Sequence, residues 1–281
     1  MTTNFKQRLL ASLCGIVLLA ISIYFSFAPL FRPFFVILNA GMICLALMEY
    51  YQLAVKKNFK PLIFLALGMT TAYVIATYLA IQHSRLAALP QFVLLCSLLL
   101  FFLAFFNKQQ NPLVNLAITV FGIVYLTIPL TCGLKINYFF PPESSQDGRY
   151  WLAYVLTVTK MTDIGAYFCG KSFGKNKLLP HISPKKTVEG AIGGLTASLL
   201  TSLIFHYFLL PAYSLTIWQS IWMGLTMSVL AQLGDLAESI LKRDAGVKDS
   251  NQLPGLGGAL DMTDSLVFTF PFMYLLLKTW F

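Results

Sequence analysis

Nine apolar runs, each close to the length that crosses a bilayer, dominate this chain: residues 9–28, 30–48, 61–82, 86–106, 113–133, 150–170, 190–210, 214–240 and 265–281. A transmembrane helix needs about 20 predominantly apolar residues. No polar stretch between the runs is long enough for a separate soluble domain. Only 11% of the residues are charged, against roughly 25% in a soluble protein, so the runs cannot all be core helices under a charged surface. The expectation is an all-α polytopic membrane helical bundle of about nine transmembrane helices, one integral-membrane domain over 1–281. Residues 1–150 supply N-terminal helices, and 151–281 supply the remaining helices and loops. The first run exceeds a signal-peptide core of roughly 7–15 residues and reads as a span. The eighth continues past the bilayer as a polar helix, because "LGDLAESILKR" keeps helical spacing without a Gly or Pro break.

Loop charge orients the spans. With the N-terminus inside, the inner segments hold Lys6, Arg8, Lys56, Lys57, Lys60, Lys108, Lys171, Lys175, Lys177, Lys185, Lys186, Lys242, Arg243 and Lys248, fourteen basic residues. The outer segments hold five: Arg32, Arg85, Lys135, Arg149 and Lys278. That bias predicts an N-in, C-out topology by the positive-inside rule. The formal net charge of +9 is then mainly a topology signal suited to an anionic leaflet. Nucleic-acid binding would need a soluble basic face, and none is expected.

Six of the eleven carboxylates fall between Gly234 and Asp264: Asp235, Glu238, Asp244, Asp249, Asp261 and Asp264. Asp235 and Glu238 are three apart on a helix and share a face, and Asp261 and Asp264 repeat that spacing. An acid deep in a span costs roughly 2.5–3.5 kcal/mol and usually faces a polar cavity with a function. Clustered carboxylates without thiol or imidazole favour hard cations, Mg²⁺ before Zn²⁺. Cys14, Cys44, Cys96, Cys132 and Cys169 are scattered, and His83, His181 and His206 have no partner at zinc spacing. Ion pairing with Lys242, Arg243 and Lys248 is the competing account of the acids. Gly255, Gly257 and Gly258 in "LPGLGGALD" read either as a turn or as backbone that lets N–H groups approach an anion. In "HISPKKTVEG" Thr187 is a plausible N-cap before a helix, with Glu189 in its first turn. Lys185 and Lys186 would meet a polyphosphate at that helix start, or serve only the inside charge rule. Lys160 and Asp163 lie one turn apart and either pair or contribute to a site.

These residues resemble the phosphatidate cytidylyltransferases, also called CDP-diacylglycerol synthases. "DIGAYFCGKSFGKNKLLPHISPKKTVEGAIGG" resembles their segment "D-x-GAY…GK…FGK-x-KL-x-P-x-ISPKKT-x-EG". "GDLAESILKRDAGVKDS" is similar to "GDL-x-ES-x-x-KR-x-x-G-x-KDS", and "PGLGGALDMTDS" to "PGHGG-x-x-DR-x-DS". The likeness covers 163–194 and 234–265; residues 1–150 match only as hydrophobic helices. It implies transfer of the cytidylyl group of CTP to phosphatidic acid, giving CDP-diacylglycerol and pyrophosphate in phospholipid biosynthesis. It implies Mg²⁺, with K⁺ as a second cation. Asp235, Asp261 and Asp264 match the metal-binding, catalytic acids, with Lys242 also catalytic. Asp163, Ser183, Lys185, Lys186, Thr187, Arg243, Lys248, Asp249, Gly257 and Gly258 match substrate-binding positions. The implied site lies on the cytoplasmic side of the cell membrane, and a homodimer is an assembly this reading allows.

The sequence departs from the pattern at three places. The His of "PGHGG" is Leu256, the Arg of "DR-x-D" is Met262, and the stretch from Lys248 to Pro254 is one residue short. Two phosphate donors are lost, but both acids and the glycines remain, which favours an active variant over an inactive paralogue. A CTP-dependent lipid-alcohol kinase of the dolichol or phytol kinase type is the rival enzyme; "SPKKT" and "KR…KDS" favour the cytidylyltransferase. A CDP-alcohol phosphotransferase needs carboxylates spaced by four, not three. An ion transporter would not need the Lys-rich and Gly-rich loops.

Overall fold

The computed structural model describes residues 14–15, 17–106, 111–141, 143–208, 215–247 and 258–281. Lys248, Asp249, Leu256 and Gly257 lie outside the described residues, as does most of the first half of the run at 9–28; residues 17–24 are helical. The chain divides into two compact units. One comprises Met1–Lys135 with Ala245–Thr263, the other Ile136–Asp244 with Asp264–Phe281.

The helices follow the apolar runs closely: α1 Arg32–Lys56, α2 Ile63–Gln82, α3 Leu89–Phe105, α4 Pro112–Asn137, α5 Gly148–Phe173, α6 Val188–Phe208, α7 Ile217–Asp244, α8 Ala259–Thr263 and α9 Leu266–Trp280. Six segments among the described residues are long and apolar enough to cross a membrane: α1, α2, Ser84–Phe105, α4, α6 and Ala259–Trp280. The protein is a helical membrane protein. α5 and α7, which carry Lys160, Asp163, Asp235 and Glu238, are not among the six. The expectation of an all-helical chain needs one correction. Lys177–Leu179 (β1) and Ser183–Thr187 (β2) form an antiparallel hairpin, where the sequence reads as a loop entering a helix. Pro180 and Pro184 bar this stretch from continuing α5 as a helix, and the short connection lets the two extended arms pair.

In the first unit, polar groups on apolar helices satisfy one another, as they must where water is excluded. The Tyr51 hydroxyl donates to the Thr119 carbonyl at 2.7 Å, just before α4 loosens into a π turn at Ile123–Thr127. Asn115 Oδ1 accepts from the Lys60 N–H at 2.8 Å, and Thr119 Oγ1 from the Leu62 N–H at 3.1 Å. Outward-facing side chains are apolar and open, Phe64 being 91% exposed, a surface that suits lipid rather than water.

The second unit is built on α5, α6, α7 and α9. α5 starts at Asp147, whose carboxylate accepts from the Arg149 N–H at 2.8 Å. α5 and α6 approach closely because Gly165 and Gly193 face each other. A Cβ on Gly165 would lie 2.7 Å from the Gly193 carbonyl oxygen, and one on Gly193 would lie 2.3 Å from the Cys169 Cβ. Buried hydroxyls tie α6 to its neighbours: Tyr154 to Ser202 at 2.7 Å, Ser202 to the Ser220 carbonyl at 2.6 Å, and Ser198 to the Gly224 carbonyl at 2.6 Å.

Candidate active site

The site grows from three features of the second unit. The first is a helix start. Thr187 Oγ1 accepts from the Gly190 N–H at 3.1 Å, so Thr187 caps α6 as its residue type suggests. Glu189 does more than complement the helix dipole: it accepts from the Lys175 and Asn176 N–H groups at 3.1 and 3.2 Å, closing the chain that enters the hairpin. Arg243 Nε donates to the Ile182 carbonyl at 3.1 Å. This predicted substrate-binding residue therefore anchors the hairpin to the end of α7.

The second feature is the hairpin itself. In a regular strand Lys185 and Lys186 would point to opposite faces. The pairing runs Lys177 with Thr187 and Leu179 with Ser183, a slipped register that re-aims side chains. Both lysines line one cavity of about 400 Å³, along with Asp163, Ser183, Thr187 and Asp235. Tyr167, Gly170, Lys171 and Gln232 complete much of its wall; the first three fall within the quoted "D-x-GAY…GK" likeness but were given no role there, and Gln232 lies outside every quoted motif. Lys185 is exposed. Lys186 pairs with Asp235 at 2.7 Å.

The third feature is a carboxylate cluster. One oxygen from each of Asp235, Glu238 and Asp264 lies within 4.8 Å of the others. Asp235 and Glu238 share a face of α7 as their spacing requires. Asp264 reaches them because α7 has a glycine at 234, against which the Asp264 backbone packs. Glu238 is 2% and Asp264 6% exposed. Lys242, one turn on, pairs with Glu238 at 2.9 Å, so the ion pairing weighed from sequence is present beside the cluster. Lys160 pairs with Asp163 at 3.3 Å and donates to the Ser265 hydroxyl at 3.0 Å; Ser265 in turn donates to Asp163 at 3.3 Å. Ser265 is a site neighbour that sequence reasoning passed over, although it directly follows Asp264.

Asp261 stands on α8 in the first unit; within the second unit Glu238 joins Asp235 and Asp264. The i,i+3 spacing from Asp235 was the available signal for it. Gly258 is described and buried. The glycine-run reading, in which backbone N–H groups approach an anion, meets a constraint just after it. The Ala259 and Leu260 N–H groups are donated to the protein's own Glu49.

The donors of the cluster suit a hard divalent cation. They are all carboxylate oxygens, largely buried. Lys160, Lys186 and Lys242 pair with Asp163, Asp235 and Glu238 respectively, and the three cluster oxygens are hard donors of the kind a hard cation takes.

A curated protein of Staphylococcus haemolyticus named phosphatidate cytidylyltransferase is 39% identical over 172 residues, covering 61% of this chain and 62% of that protein. One of the same name from Chlamydia muridarum is 35% identical over 175 residues, covering 61% of this chain and 57% of that protein. The Staphylococcus aureus (strain COL) protein of that name is 38% identical over 172 residues, covering 61% of this chain and 62% of that protein. The chain thus matches about three fifths of the length of these relatives. Residues 6–280 match the profile of the cytidylyltransferase family. A match of that extent settles membership: the chain belongs to the cytidylyltransferase family.

Proposed function

We propose that the protein transfers the cytidylyl group of CTP to phosphatidic acid, forming CDP-diacylglycerol and releasing pyrophosphate. The observation that carries this reading is one cavity lined by Lys185, Lys186 and Asp235, the last a member of the three-carboxylate cluster. Both substrates are polyanions, and a site for them must supply positive charge from the protein and hold a cation.

A phosphatidate oxygen attacks the α-phosphorus of CTP, a new P–O bond forms, and the bond to the pyrophosphate oxygen breaks. Phosphatidate is already ionised near neutral pH, so no strong general base is needed. Lys185 binds and neutralises phosphate oxygens. Lys186, held by Asp235, sits where it can be shared between the cluster and an incoming phosphate. Thr187 and Arg243 hold the hairpin and helix start that carry both lysines. Asp235, Glu238 and Asp264 would hold Mg²⁺, which supplies charge stabilisation to phosphate oxygens when bound. Asp261, from the family resemblance, and a K⁺ beside Mg²⁺ belong to the same reading.

The acyl tails stay in the bilayer while the headgroup meets CTP. The excess of basic residues on alternate loops supports nine spans, N-in and C-out, with the site at the cytoplasmic face of the cell membrane. Purified protein in detergent, given α-labelled CTP and phosphatidic acid, should pass label into lipid and release pyrophosphate. Label recovered as CDP would instead indicate a lipid-alcohol kinase, and label left in CTP would refute the reading.

A further inference from the structure

Glu49 is a carboxylate within α1, 2% exposed, on a helix apolar enough to span a membrane. Such a group is costly to place there and is usually retained for a function. Its two oxygens are both engaged. Oε1 accepts from the Ala259 N–H at 2.9 Å and Oε2 from the Leu260 N–H at 2.8 Å. Those are the first two N–H groups of α8, which have no partner inside the helix.

α8 cannot cap itself. The preceding residue is Gly258, which has no side chain to accept those bonds, where Ser, Thr, Asp or Asn would serve. Five residues are also too few to hold a helix by its own hydrogen bonds. The acceptor comes instead from a residue 210 positions away. Engagement through both oxygens fixes rotation as well as position. Asp261 is the third residue of this helix, the Thr263 hydroxyl bonds back to the Ala259 carbonyl at 2.9 Å, and Asp264 follows directly.

We infer that Glu49 is a positioning residue: its carboxylate sets the start of α8 and so the placement of Asp261 on that helix. The consequence for turnover rests on the cytidylyltransferase reading, but the consequence for local structure does not.

The test uses full-length Glu49→Gln, Glu49→Asp and Glu49→Ala in detergent. Three properties are read: amide hydrogen exchange by mass spectrometry, Mn²⁺ binding by electron paramagnetic resonance with the metal alone, and CTP kinetics. Exchange over residues 258–265 should rise about tenfold or more in the Gln and Ala variants while the other helices keep wild-type protection. Mn²⁺ affinity should fall about tenfold, and kcat at least as much, with the KM for CTP within about threefold. Glu49→Asp, which keeps the charge, should recover part of each loss. Unchanged exchange at 258–265, or unchanged Mn²⁺ binding, would overturn the inference. So would faster exchange spread over all helices, or loss of every variant from the detergent-soluble fraction, since either would make Glu49 a general stabiliser. A wild type without cytidylyl transfer, but with the local exchange response intact in the variants, would retire the functional reading and leave this one standing.

Discussion

Replacing Gly234 by Ala adds one methyl group where two backbones meet. The new Cβ would lie 2.3 Å from the Asp264 carbonyl oxygen and 3.1 Å from both the Asp264 carbonyl carbon and Ser265 Cα. Ordinary contact starts near 3.4 Å, so the turn at Asp264 must retreat by ~1 Å. No rotamer change can absorb this, because the opposing atoms are main chain. Overpacking of this kind costs about 1–3 kcal/mol, which a helical membrane protein survives. The site is less tolerant. Asp264 must bring an oxygen within 4.8 Å of Asp235 and Glu238 to complete the cluster, and a misplacement of ~1 Å in a reacting assembly costs on the order of a hundredfold in rate. Pyrophosphate release by Gly234→Ala should fall about that much, and Mn²⁺ binding should weaken with it, while the protein still purifies as a folded species. Gly68→Ala is the control, since a Cβ there meets nothing within 4 Å. Wild-type kcat and Mn²⁺ affinity in Gly234→Ala would refute the claim that this glycine lets Asp264 join the cluster.

Asp235→Asn, Asp261→Asn and Asp264→Asn should each abolish turnover with membrane insertion intact, because each swap keeps shape and removes a charged ligand; near-normal rates in all three would sink the cation assignment. Lys185→Ala should raise the KM for CTP by roughly tenfold, whereas Lys186→Ala should also lower kcat, because it strips Asp235 of the partner at 2.7 Å; equal, purely topological effects would favour the inside-charge account. Thr187→Ala removes the cap on α6 and should lower stability by about 1 kcal/mol, seen as an earlier thermal transition in detergent; an unmoved midpoint would show that the bond to the Gly190 N–H is dispensable. Leu256→His with Met262→Arg restores the family pattern and should change CTP affinity by no more than roughly tenfold, about 1.4 kcal/mol; a thousandfold rescue of a silent wild type would mean that the natural site is degenerate.

Much of this protein is legible from residue order alone, for reasons local to the chain. Apolar runs became helices where they were expected, because a span must satisfy its own backbone hydrogen bonds and does so within one segment. Thr187 became an N-cap because capping involves residues three apart. Asp235 and Glu238 share a face because helical geometry alone decides it. The family likeness was equally legible, since it rests on ordered motifs.

What only the tertiary structure decided are relations between distant segments. Sequence joined Asp235 with Asp264, and the second unit adds Glu238 to them. Which acids converge depends on how closely two backbones approach, and that is set at Gly234. The hairpin at 177–187 turns two neighbouring lysines toward one cavity through a slipped register that no pattern of alternation announces. Nothing in the sequence singles out Glu49, because its partners, the Ala259 and Leu260 N–H groups, are backbone atoms far along the chain. Backbone donors leave no signature in residue type, so the carboxylate that holds the start of α8 became visible only once the chain had folded.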